Sequence, residues 1–352
     1  MKSLDKIKKR VDLELERYFQ RATVEASKRD EELGSALEYV HKITMAGGKR
    51  LRPALMQFGY IAAGGKNLKE INKVSISTEL IHMFLLIHDD IMDRGTKRHG
   101  VETAHVHYQK ICQRASRDKD CAHFGTSIGI LIGDTLHSLG NQVLYNSAFE
   151  PRHITRALMK MEDVVYRTIA GQVKDVRMEY TSQASEKDVL QMYEFKTARY
   201  TFEGPLHLGA ILAGGQDELL KILSDYSVPL GIAFQIQDDI LGLFGSEKKL
   251  GKSVASDVEE GKQTLLIVKA LEWADQRQQE IIRATLGKSK VTKGELEVLR
   301  AVVRETGSLE YARTLAREKT LEGKAAIEKA NVVPVAKKFL LEIADHLLNR
   351  EI

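Results

Sequence analysis

Two acidic clusters of similar design each follow a long apolar stretch of the chain. The first contains Asp89, Asp90 and Asp93 in ELIHMFLLIHDDIMD, and the second contains Asp238 and Asp239 in GIAFQIQDDILGLFG. In a helix, the carboxylates of Asp89 and Asp93 lie on one face, about 6 Å apart along the axis. Because like charges on one face repel and are costly beside apolar surface, we expect a cation between them.

The chemistry of these clusters favours magnesium. Oxygen ligands with no cysteine nearby suit a hard ion, and Mg²⁺ usually keeps several waters and bridges to substrate phosphates. A solvated helix end would explain one such cluster equally well, but it explains two copies behind apolar runs poorly. The predicted metal-binding residues are Asp89, Asp90, Asp93, Asp238 and Asp239.

Cationic segments surround the first cluster. The segment RGTKRHG at 94–100 follows it directly, and GGKRLRP at 47–53 places a flexible Gly-Gly and three cations before a helix. Such loops can bind an anion through backbone N–H groups and fixed charges. Each loop alone is typical of a solvated surface, so the prediction of a di- or triphosphate ligand rests on their combination with the metal.

The composition excludes several classes of protein. The 352 residues are 43% hydrophobic, and 53 basic against 49 acidic residues give a formal charge of +4, far from a nucleic-acid-binding balance. Cys112 and Cys121 are too few for a disulfide scaffold or a cysteine zinc site, which favours a reduced, cytoplasmic protein. We find neither the apolar core of a signal peptide nor an apolar run long enough to span a membrane.

Helical periodicity, with five prolines and almost no strand-like alternation, predicts an all-α protein. Gly64-Gly65 and Gly214-Gly215 are predicted helix ends, and Gln109–Ala122 and Phe244–Lys262 are predicted loops. No compositional break divides the chain, so we predict one domain over 1–352, a large helical bundle. The predicted helices are 6–32, 35–45, 52–63, 69–88, 123–149, 152–181, 186–213, 217–241, 262–285, 293–304 and 308–330.

The order of the motifs resembles that of the trans-isoprenyl diphosphate synthases, or polyprenyl synthetase family. The matching segments, between about residues 30 and 330, are GGKRLRP, ELIH, HDDIMD with the arginine that follows, GQVKD, FKT, FQIQDDILG, GK and EGKQT. The resemblance implies the isoprenoid synthase fold, a helical bundle around a central cavity. It also implies a Mg²⁺-dependent condensation of isopentenyl diphosphate with a dimethylallyl, geranyl or farnesyl diphosphate, and a homodimer.

The resemblance further implies a role for each motif residue. Asp89 and Asp93 would bind Mg²⁺ on the allylic diphosphate and Asp238 a further ion, to a total of three ions, with Asp90 and Asp239 in support. Contacts to the allylic diphosphate would come from Arg98, Lys196, Lys252 and Lys262, and contacts to isopentenyl diphosphate from Lys49, Arg52 and His82. Thr197 and Gln235 would face the developing cation, while Gln172 and Asp175 would support the cavity.

Physical chemistry agrees with this reaction. Breaking an allylic C–O bond separates charge, and metal ions and cations stabilise the departing pyrophosphate. The carbocation must be kept from water, which requires an apolar, closed cavity. No side-chain base stands out in the sequence, and the family mechanism gives the proton to the leaving pyrophosphate.

The chain departs from the family pattern at three places. His99 stands where a second arginine usually helps to bind isopentenyl diphosphate, and it can replace that arginine fully only when protonated. Gly242 ends the second motif in place of an aspartate, a form that also occurs in active members. The polar stretch at 109–122 is longer than the usual link and is expected to be a surface loop.

The product length and three rival functions stay open. Phe84 and Leu85, five and four positions before Asp89, resemble the pattern of geranylgeranyl diphosphate synthases, although a farnesyl or longer product or an ordinary core role for Phe84 is compatible. A class I terpene cyclase would share DDxxD but would not need GGKRLRP or His82. A catalytically silent subunit should lack part of the metal ligation. A His-Asp phosphohydrolase would need distant histidines to converge, namely His82, His88, His105 and His107.

Overall fold

The computed structural model describes residues 2–115, 119–245 and 254–348, and its architecture is all-α as predicted. In these residues one short hairpin, β1 (Lys97–Arg98) with β2 (Val101–Glu102), interrupts the helices. The first helices are α1 (Lys2–Arg29), α2 (Glu31–Met45), α3 (Leu51–Ala62), α4 (Leu68–Val74), α5 (Ser77–Met92), α6 (Ala104–Ala115), α7 (Cys121–Tyr145) and α8 (Pro151–Thr181). After these come α9 (Glu186–Met192), a π-helix (Tyr193–Glu203), α10 (Gly204–Leu212), α11 (Asp217–Phe244), α12 (Ser256–Glu259), α13 (Leu265–Trp273), α14 (Gln276–Thr285), α15 (Lys293–Glu305), α16 (Ser308–Lys329) and α17 (Pro334–Leu348).

The two predicted glycine stops are confirmed. Helices α3 and α10 end just before Gly64 and Gly214, which have φ values of 82° and 83°. The next glycine closes each helix, because the N–H of Gly65 donates to the Tyr60 carbonyl and that of Gly215 to the Ala210 carbonyl.

Several predicted boundaries are wrong. The segment 69–88 forms α4 and α5, 186–213 forms α9, the π-helix and α10, and α17 has no predicted counterpart. The predicted loop 109–122 is largely helical, since α6 continues to Ala115 and α7 begins at Cys121. The predicted loop 244–262 contains α12, while residues 246–253 lie outside the described part of the chain.

The two cysteines form a disulfide, which corrects the expectation of reduced thiols. It joins Cys112 near the end of α6 to Cys121 at the start of α7, with 5.4 Å between the Cα atoms. The sequence separation of nine residues and the polar residues between gave no sign that two helices would bring the sulfurs together.

Buried apolar side chains form two clusters that share α11 and the π-helix. The first cluster contains Leu80 of α5 and Leu136 of α7, and the second contains Ile236 of α11 and Leu265 of α13.

The organisation of residues 1–352 as one domain stays a prediction. Among the described residues, α11 alone is long and apolar enough to cross a membrane by length and composition, and half of its apolar window is buried in the protein.

The π-helix packs closely between α8 and α11 because a glycine faces it from each side. A Cβ atom at Gly171 of α8 would lie 2.6 Å from the backbone nitrogen of Lys196. One at Gly231 of α11 would lie 2.3 Å from the Cα of Ala198. These approaches place the backbone of FKT directly between two long helices, and π-helical turns are frequent at functional sites.

Candidate active site

The first acidic cluster lies where α5 ends. Apolar residues of α5, among them Leu80, Ile81 and Ile87, are buried, and Asp93 is the C-terminal cap of the helix. The side chains of Asp89 and Asp93 are 23% and 16% exposed, so their carboxylates lie at the edge of the core.

Two lysines bring positive charge to these carboxylates, one to each. Lys262 Nζ lies 2.9 Å from Asp93 Oδ2. Lys196 Nζ lies 3.3 Å from Asp89 Oδ1 and 2.7 Å from Asp175 Oδ2. The structure therefore brings together four predicted site residues and Asp175 of GQVKD from α5, α8, the π-helix and the segment before α13.

Mixed charge sets the ionisation of this group. Burial raises the pKa of the Asp89 carboxyl, but the charges of Lys196 and Lys262 outweigh burial, and the pKa is lowered from its ordinary value. Burial and the charge of Asp89 raise the pKa of Asp93, and Lys262 offsets only part of that rise. Burial lowers the pKa of the Lys262 ammonium, but Asp175 and Asp93 raise it further, and the net shift is well upward.

Asp90 faces away from this group and holds Arg98. The Arg98 guanidinium donates to both Asp90 oxygens, from Nη2 at 2.7 Å and from Nε at 3.0 and 3.2 Å. Asp90 is buried, and its backbone carbonyl also accepts the N–H of Gly95 in the turn toward β1. The predicted allylic-diphosphate contact Arg98 is thus positioned by a predicted metal-binding residue.

The second acidic cluster has a similar division of roles. Asp238 of α11 is partly exposed, whereas Asp239 is buried and accepts hydrogen bonds from the Tyr193 hydroxyl and from Gln235 Nε2. Gln235 Oε1 accepts a 2.7 Å hydrogen bond from Thr197 Oγ1. Burial raises the pKa of Asp239 to about 7, although the two donors lower it.

The glycine that ends the second motif has a spatial reason. A Cβ atom at Gly242 would lie 2.4 Å from Asp257 Oδ2 of α12, so a side chain at 242 would displace that carboxylate. The charge of Asp257 also contributes to the raised pKa of Asp239. Asp257 was not predicted from the sequence, and the glycine at 242 was the available signal for it.

A second polar group forms around Tyr200 of the π-helix. The Tyr200 hydroxyl lies 2.7 Å from His82 Nδ1, and the Arg52 guanidinium lies 4.4 Å from the centre of the Tyr200 ring. Arg52 also donates to Thr201 Oγ1 at 2.8 Å. Burial and the charges of Arg52 and Arg98 hold the pKa of His82 well below its ordinary value, so the imidazole is neutral. Tyr200 and Thr201 were not predicted from the sequence, although they follow FKT on the same helix.

The cationic side chains of the loop GGKRLRP differ in burial: Arg50 is part of the protein interior, and Lys49 lies at the surface. Arg50 is buried, has φ 54°, and pairs with Asp12 and Glu79 at 2.8 Å each. This pairing fixes the loop, while Lys49 is exposed beside it. The loop also contacts the turn after the first motif, because a Cβ atom at Gly47 would lie 2.5 Å from the His99 ring.

The remaining predicted residues are placed as follows. Burial and the charges of Arg98 and Arg50 lower the pKa of His99, which therefore does not replace the charge of an arginine at neutral pH. Phe84 is buried, with the rings of His88 and His137 at 5.0 and 5.1 Å, and Leu85 is partly buried. Gln172 Nε2 lies 3.8 Å from the sulfur of Met92, and Lys252 lies outside the described residues.

The donor set fits a magnesium ion that shares its coordination with a substrate and water. Across residues 2–115, 119–245 and 254–348, no three His, Cys, Asp or Glu side chains are arranged to hold a metal by themselves. Asp89 Oδ1 is buried with the Lys196 ammonium 3.3 Å away, so this carboxylate oxygen faces a cation and would bind a metal ion at the expense of that contact. Mg²⁺ commonly binds in this way, through one or two carboxylates and substrate phosphates.

The histidines of the rival phosphohydrolase do not gather around Asp89. His107 stacks on Tyr39, with 3.5 Å between ring centres, and His88 Nε2 lies 3.1 Å from the carbonyl oxygen of Ile130. These contacts assign both rings to helix packing.

Comparisons with known proteins agree with the motif order. The model of the polyprenyl synthetase family matches residues 33–303. A geranylgeranyl diphosphate synthase of Methanosarcina mazei is 34% identical over 323 residues, covering 92% of this chain and 91% of its own. A geranylfarnesyl diphosphate synthase of Aeropyrum pernix is 32% identical, covering 87% of this chain and 91% of its own.

A solved structure is similar over almost the whole chain. Geranylgeranyl pyrophosphate synthase of Corynebacterium glutamicum, crystallised with isoprenyl diphosphate and magnesium, superimposes with a TM-score of 0.93 at 30% sequence identity. The alignment covers 99% of each chain. Such a fit extends the likeness beyond the motifs to the packing of the helices.

Proposed function

Because this chain belongs to the polyprenyl synthetase family, we propose that it elongates an allylic diphosphate with isopentenyl diphosphate. Members of this family are prenyl diphosphate synthases, which are prenyltransferases that act on isoprenoid diphosphates and are generally Mg²⁺-dependent. The proposed product is the twenty-carbon geranylgeranyl diphosphate.

The observation that carries this proposal is the presence of two separate groups that can bind a diphosphate, one built on two lysines and one built on an arginine with a neutral imidazole. Lys196 and Lys262 lie among the carboxylates at the end of α5, where an allylic diphosphate would be held with metal. Arg52 and His82 meet around Tyr200, where the diphosphate of isopentenyl diphosphate would be held. A reaction that joins two diphosphate esters needs both groups, whereas a terpene cyclase needs one.

The side chains present would divide the reaction as follows. Mg²⁺ ions, three in this proposal, would be held by Asp89, Asp93 and Asp238 and would neutralise the departing pyrophosphate. Lys196 and Lys262 would add fixed positive charge when the allylic C–O bond breaks and its electron pair leaves with pyrophosphate. The isopentenyl double bond would then form the new C–C bond, and the proton lost would go to pyrophosphate.

The product length rests on Phe84. Its ring is buried at the seam between α5 and α7, one turn before Asp89, where it would limit a growing chain. Relatives named for twenty-carbon and for twenty-five-carbon products are similarly close to this chain, so identity alone does not choose between them. A smaller side chain at 84 should lengthen the product.

A homodimer is proposed because two helices carry matching exposed apolar stripes. On α8, Met159, Tyr166, Val173 and Tyr180 follow one another at seven-residue intervals and are 64–74% exposed. On α7, Phe124 and Leu131 are seven residues apart and Tyr145 follows fourteen residues later, with Ser138 between them, and the three apolar side chains are 41–70% exposed. Seven residues are close to two helical turns, so each stripe lies on one face and suits a second copy of the chain. Light scattering after gel filtration should give twice the chain mass of 39.6 kDa.

We also propose that the protein is located in the cytoplasm. The support for this location is the charged, water-soluble character of the diphosphate substrates. The Cys112–Cys121 disulfide is unusual for that compartment, where thiols of most proteins are kept reduced.

Incubation with labelled isopentenyl diphosphate, Mg²⁺ and each allylic diphosphate of five, ten or fifteen carbons tests the function. Dephosphorylated products are sized by chromatography, and a twenty-carbon alcohol is expected. A longer ladder would keep the prenyltransferase and overturn the role of Phe84. Cyclised allylic product without incorporation would favour a terpene cyclase, and an inactive protein would favour a silent subunit.

A further inference from the structure

Tyr193 is a fully buried tyrosine at the start of the π-helix, three residues before Lys196, and the proposed reaction gives it no role. Its hydroxyl makes two hydrogen bonds that join three structural elements. It donates to Asp239 of α11 and accepts the backbone N–H of Leu265, the first residue of α13, at 2.9 Å. The first N–H groups of a helix lack partners within it, so Tyr193 also anchors the start of α13.

The hydrogen bonds continue from Tyr193 toward the reaction site. Asp239 Oδ1 accepts from Gln235 Nε2 at 2.8 Å, and Gln235 Oε1 accepts from Thr197 Oγ1 at 2.7 Å. A row of four hydrogen bonds therefore runs from Leu265 through Tyr193, Asp239 and Gln235 to Thr197.

Asp239 determines which end of the Gln235 amide faces Thr197. Asp239 Oδ1 accepts the hydrogen bond in this pair, so the end of the amide beside it is the NH₂ donor, and the carbonyl oxygen points the other way. Because Tyr193 donates to one oxygen and Gln235 to the other, both oxygens of Asp239 are occupied by protein donors.

We propose that Tyr193 and Asp239 are positioning residues that hold the Gln235 carbonyl oxygen toward the site of the allylic cation, and that Asp239 is not a metal ligand. The inference rests on the proposed prenyltransferase function. It differs from the role expected from the sequence, in which Asp239 supports a magnesium ion, and it keeps Asp238 as the proposed metal-binding aspartate of the second motif.

The orientation matters because an amide has a negative and a positive end. A carbonyl oxygen aimed at a developing carbocation stabilises it, whereas an NH₂ group in the same place would oppose it. A glutamine released from Asp239 could rotate between both orientations, so only part of the molecules would present oxygen at the moment of ionisation.

Three substitutions separate positioning from metal binding. Tyr193→Phe removes only the hydroxyl, Asp239→Asn keeps the shape but weakens the acceptor, and Asp238→Asn removes a proposed metal ligand. The matched control is Tyr226→Phe on α11, because the Tyr226 hydroxyl is equally buried but donates to the Leu340 carbonyl oxygen at 2.8 Å, outside the row of hydrogen bonds.

Two readouts are measured on each folded variant: the single-turnover rate of allylic diphosphate consumption, and the calorimetric affinity for Mg²⁺ with inorganic pyrophosphate. Tyr193→Phe and Asp239→Asn should lower the rate roughly 10- to 100-fold and change the affinity by less than about twofold. Asp238→Asn should lower the affinity about tenfold or more. Tyr226→Phe should change neither.

An exchange of partners adds a test of rescue. Gln235→Glu places two carboxylates together and should be nearly inactive, while Gln235→Glu with Asp239→Asn restores a donor and an acceptor and should recover activity at least about tenfold. Equal loss of Mg²⁺–pyrophosphate affinity in Asp239→Asn and Asp238→Asn would overturn the proposal, as would a Tyr193→Phe rate equal to that of Tyr226→Phe. Failure of the function itself would appear differently, as a wild-type protein without turnover.

Discussion

The two acidic motifs share a sequence pattern but are neutralised by different partners. In the first motif, Lys196, Lys262 and Arg98 surround the carboxylates, so fixed positive charge opposes negative charge before any ligand arrives. In the second, the buried Asp239 has neutral donors, a tyrosine hydroxyl and a glutamine amide. Charged partners suit a site that must exchange its cations for metal and diphosphate, while neutral donors suit a site that must hold one orientation.

The two motifs also share one arrangement of their paired aspartates. In each motif the first aspartate is partly exposed at the helix surface, and the second turns inward onto protein donors. Adjacent residues of a helix point about 100° apart, so one aspartate can face a ligand while its neighbour faces the core. The doubled aspartate thus combines a partly exposed carboxylate, which the proposed function assigns to metal binding, with a buried one that anchors protein donors.

The largest effect is expected from removal of the ligand-facing aspartates. Asp89→Asn and Asp238→Asn should each lower turnover by about 10³-fold or more, because several kcal/mol of metal-dependent charge stabilisation is lost. Turnover is measured by label incorporation at saturating Mg²⁺. Asp225→Asn, an exposed carboxylate on α11, is the control and should retain full activity. A residual rate near wild type in either variant would contradict the assignment of that motif.

A second test asks why the motifs differ in their last acidic position. Gly242→Asp should lower turnover about 100-fold, since the new Cβ would lie 2.4 Å from Asp257 Oδ2 and bring two carboxylates together. Adding Asp257→Ser to Gly242→Asp should restore much of the activity by removing the conflict. If Gly242→Asp alone were fully active, the contact with Asp257 would not explain why a glycine stands at position 242.

The sequence predicted the motifs more fully than their partners. The positions of Asp89 and Asp238 at the ends of apolar helices followed from local pattern, as did the glycine stops. The direction of Asp239 did not, because its partner Tyr193 lies 46 residues away on a π-helix, whose packing depends on glycines of two other helices. Local periodicity carries no information about such contacts.

The prediction of a loop at 109–122 was wrong for a related reason. Its charged residues are typical of a solvated loop, yet α6 continues to Ala115 because tertiary contacts hold it. Gly125 of α7 approaches the His105 carbonyl oxygen so closely that a Cβ atom would lie 2.2 Å from it. The polar composition of this segment correctly indicated that it is exposed to solvent, since Arg114 and Ala115 are exposed. An exposed segment can still be helical, as the end of α6 is.

The anchoring aspartates should differ in their effect on stability. Asp90→Asn removes the negative charge and one of the two oxygens that pair with the Arg98 guanidinium and should lower the free energy of unfolding by about 2–3 kcal/mol at pH 7. Asp239→Asn should not lower it at pH 7, because its partners are neutral and the raised pKa of Asp239 means that its ionised form already costs the wild type stability at that pH. Urea unfolding in EDTA measures both, with Asp225→Asn as the control. Equal losses would mean that the kind of partner does not matter.

The pH dependence should follow from the raised pKa of Asp239. Its folded-state pKa of about 7 exceeds the ordinary 3.8, so the folded protein holds the proton more tightly. The carboxyl therefore contributes stability that is complete below about pH 4 and is lost as pH rises through 7, up to about 4 kcal/mol. Relative to wild type, Asp239→Asn should become more stable as pH rises from 4 to 8, and a pH-independent difference would contradict the shift.

The smallest effect on turnover is expected from reduction of the disulfide. The disulfide joins α6 to α7, the helix that packs on α5 and the first motif, and it is not part of the helices that carry the second motif. Reducing Cys112–Cys121 with a dithiol reopens a loop of nine residues, for which chain entropy predicts a loss of about 2.5 kcal/mol. Helix α7 contacts α5 through glycines, since a Cβ atom at Gly133 would lie 2.2 Å from the His88 ring beside Asp89. This packing involves much more surface than the disulfide, so α5 should keep its position after reduction. The melting temperature should fall by a few degrees while turnover changes less than about twofold, and Cys112→Ser with Cys121→Ser should respond to the dithiol in neither property. A large loss of turnover in the reduced protein would mean that the first motif, unlike the second, depends on a covalent tie outside the site.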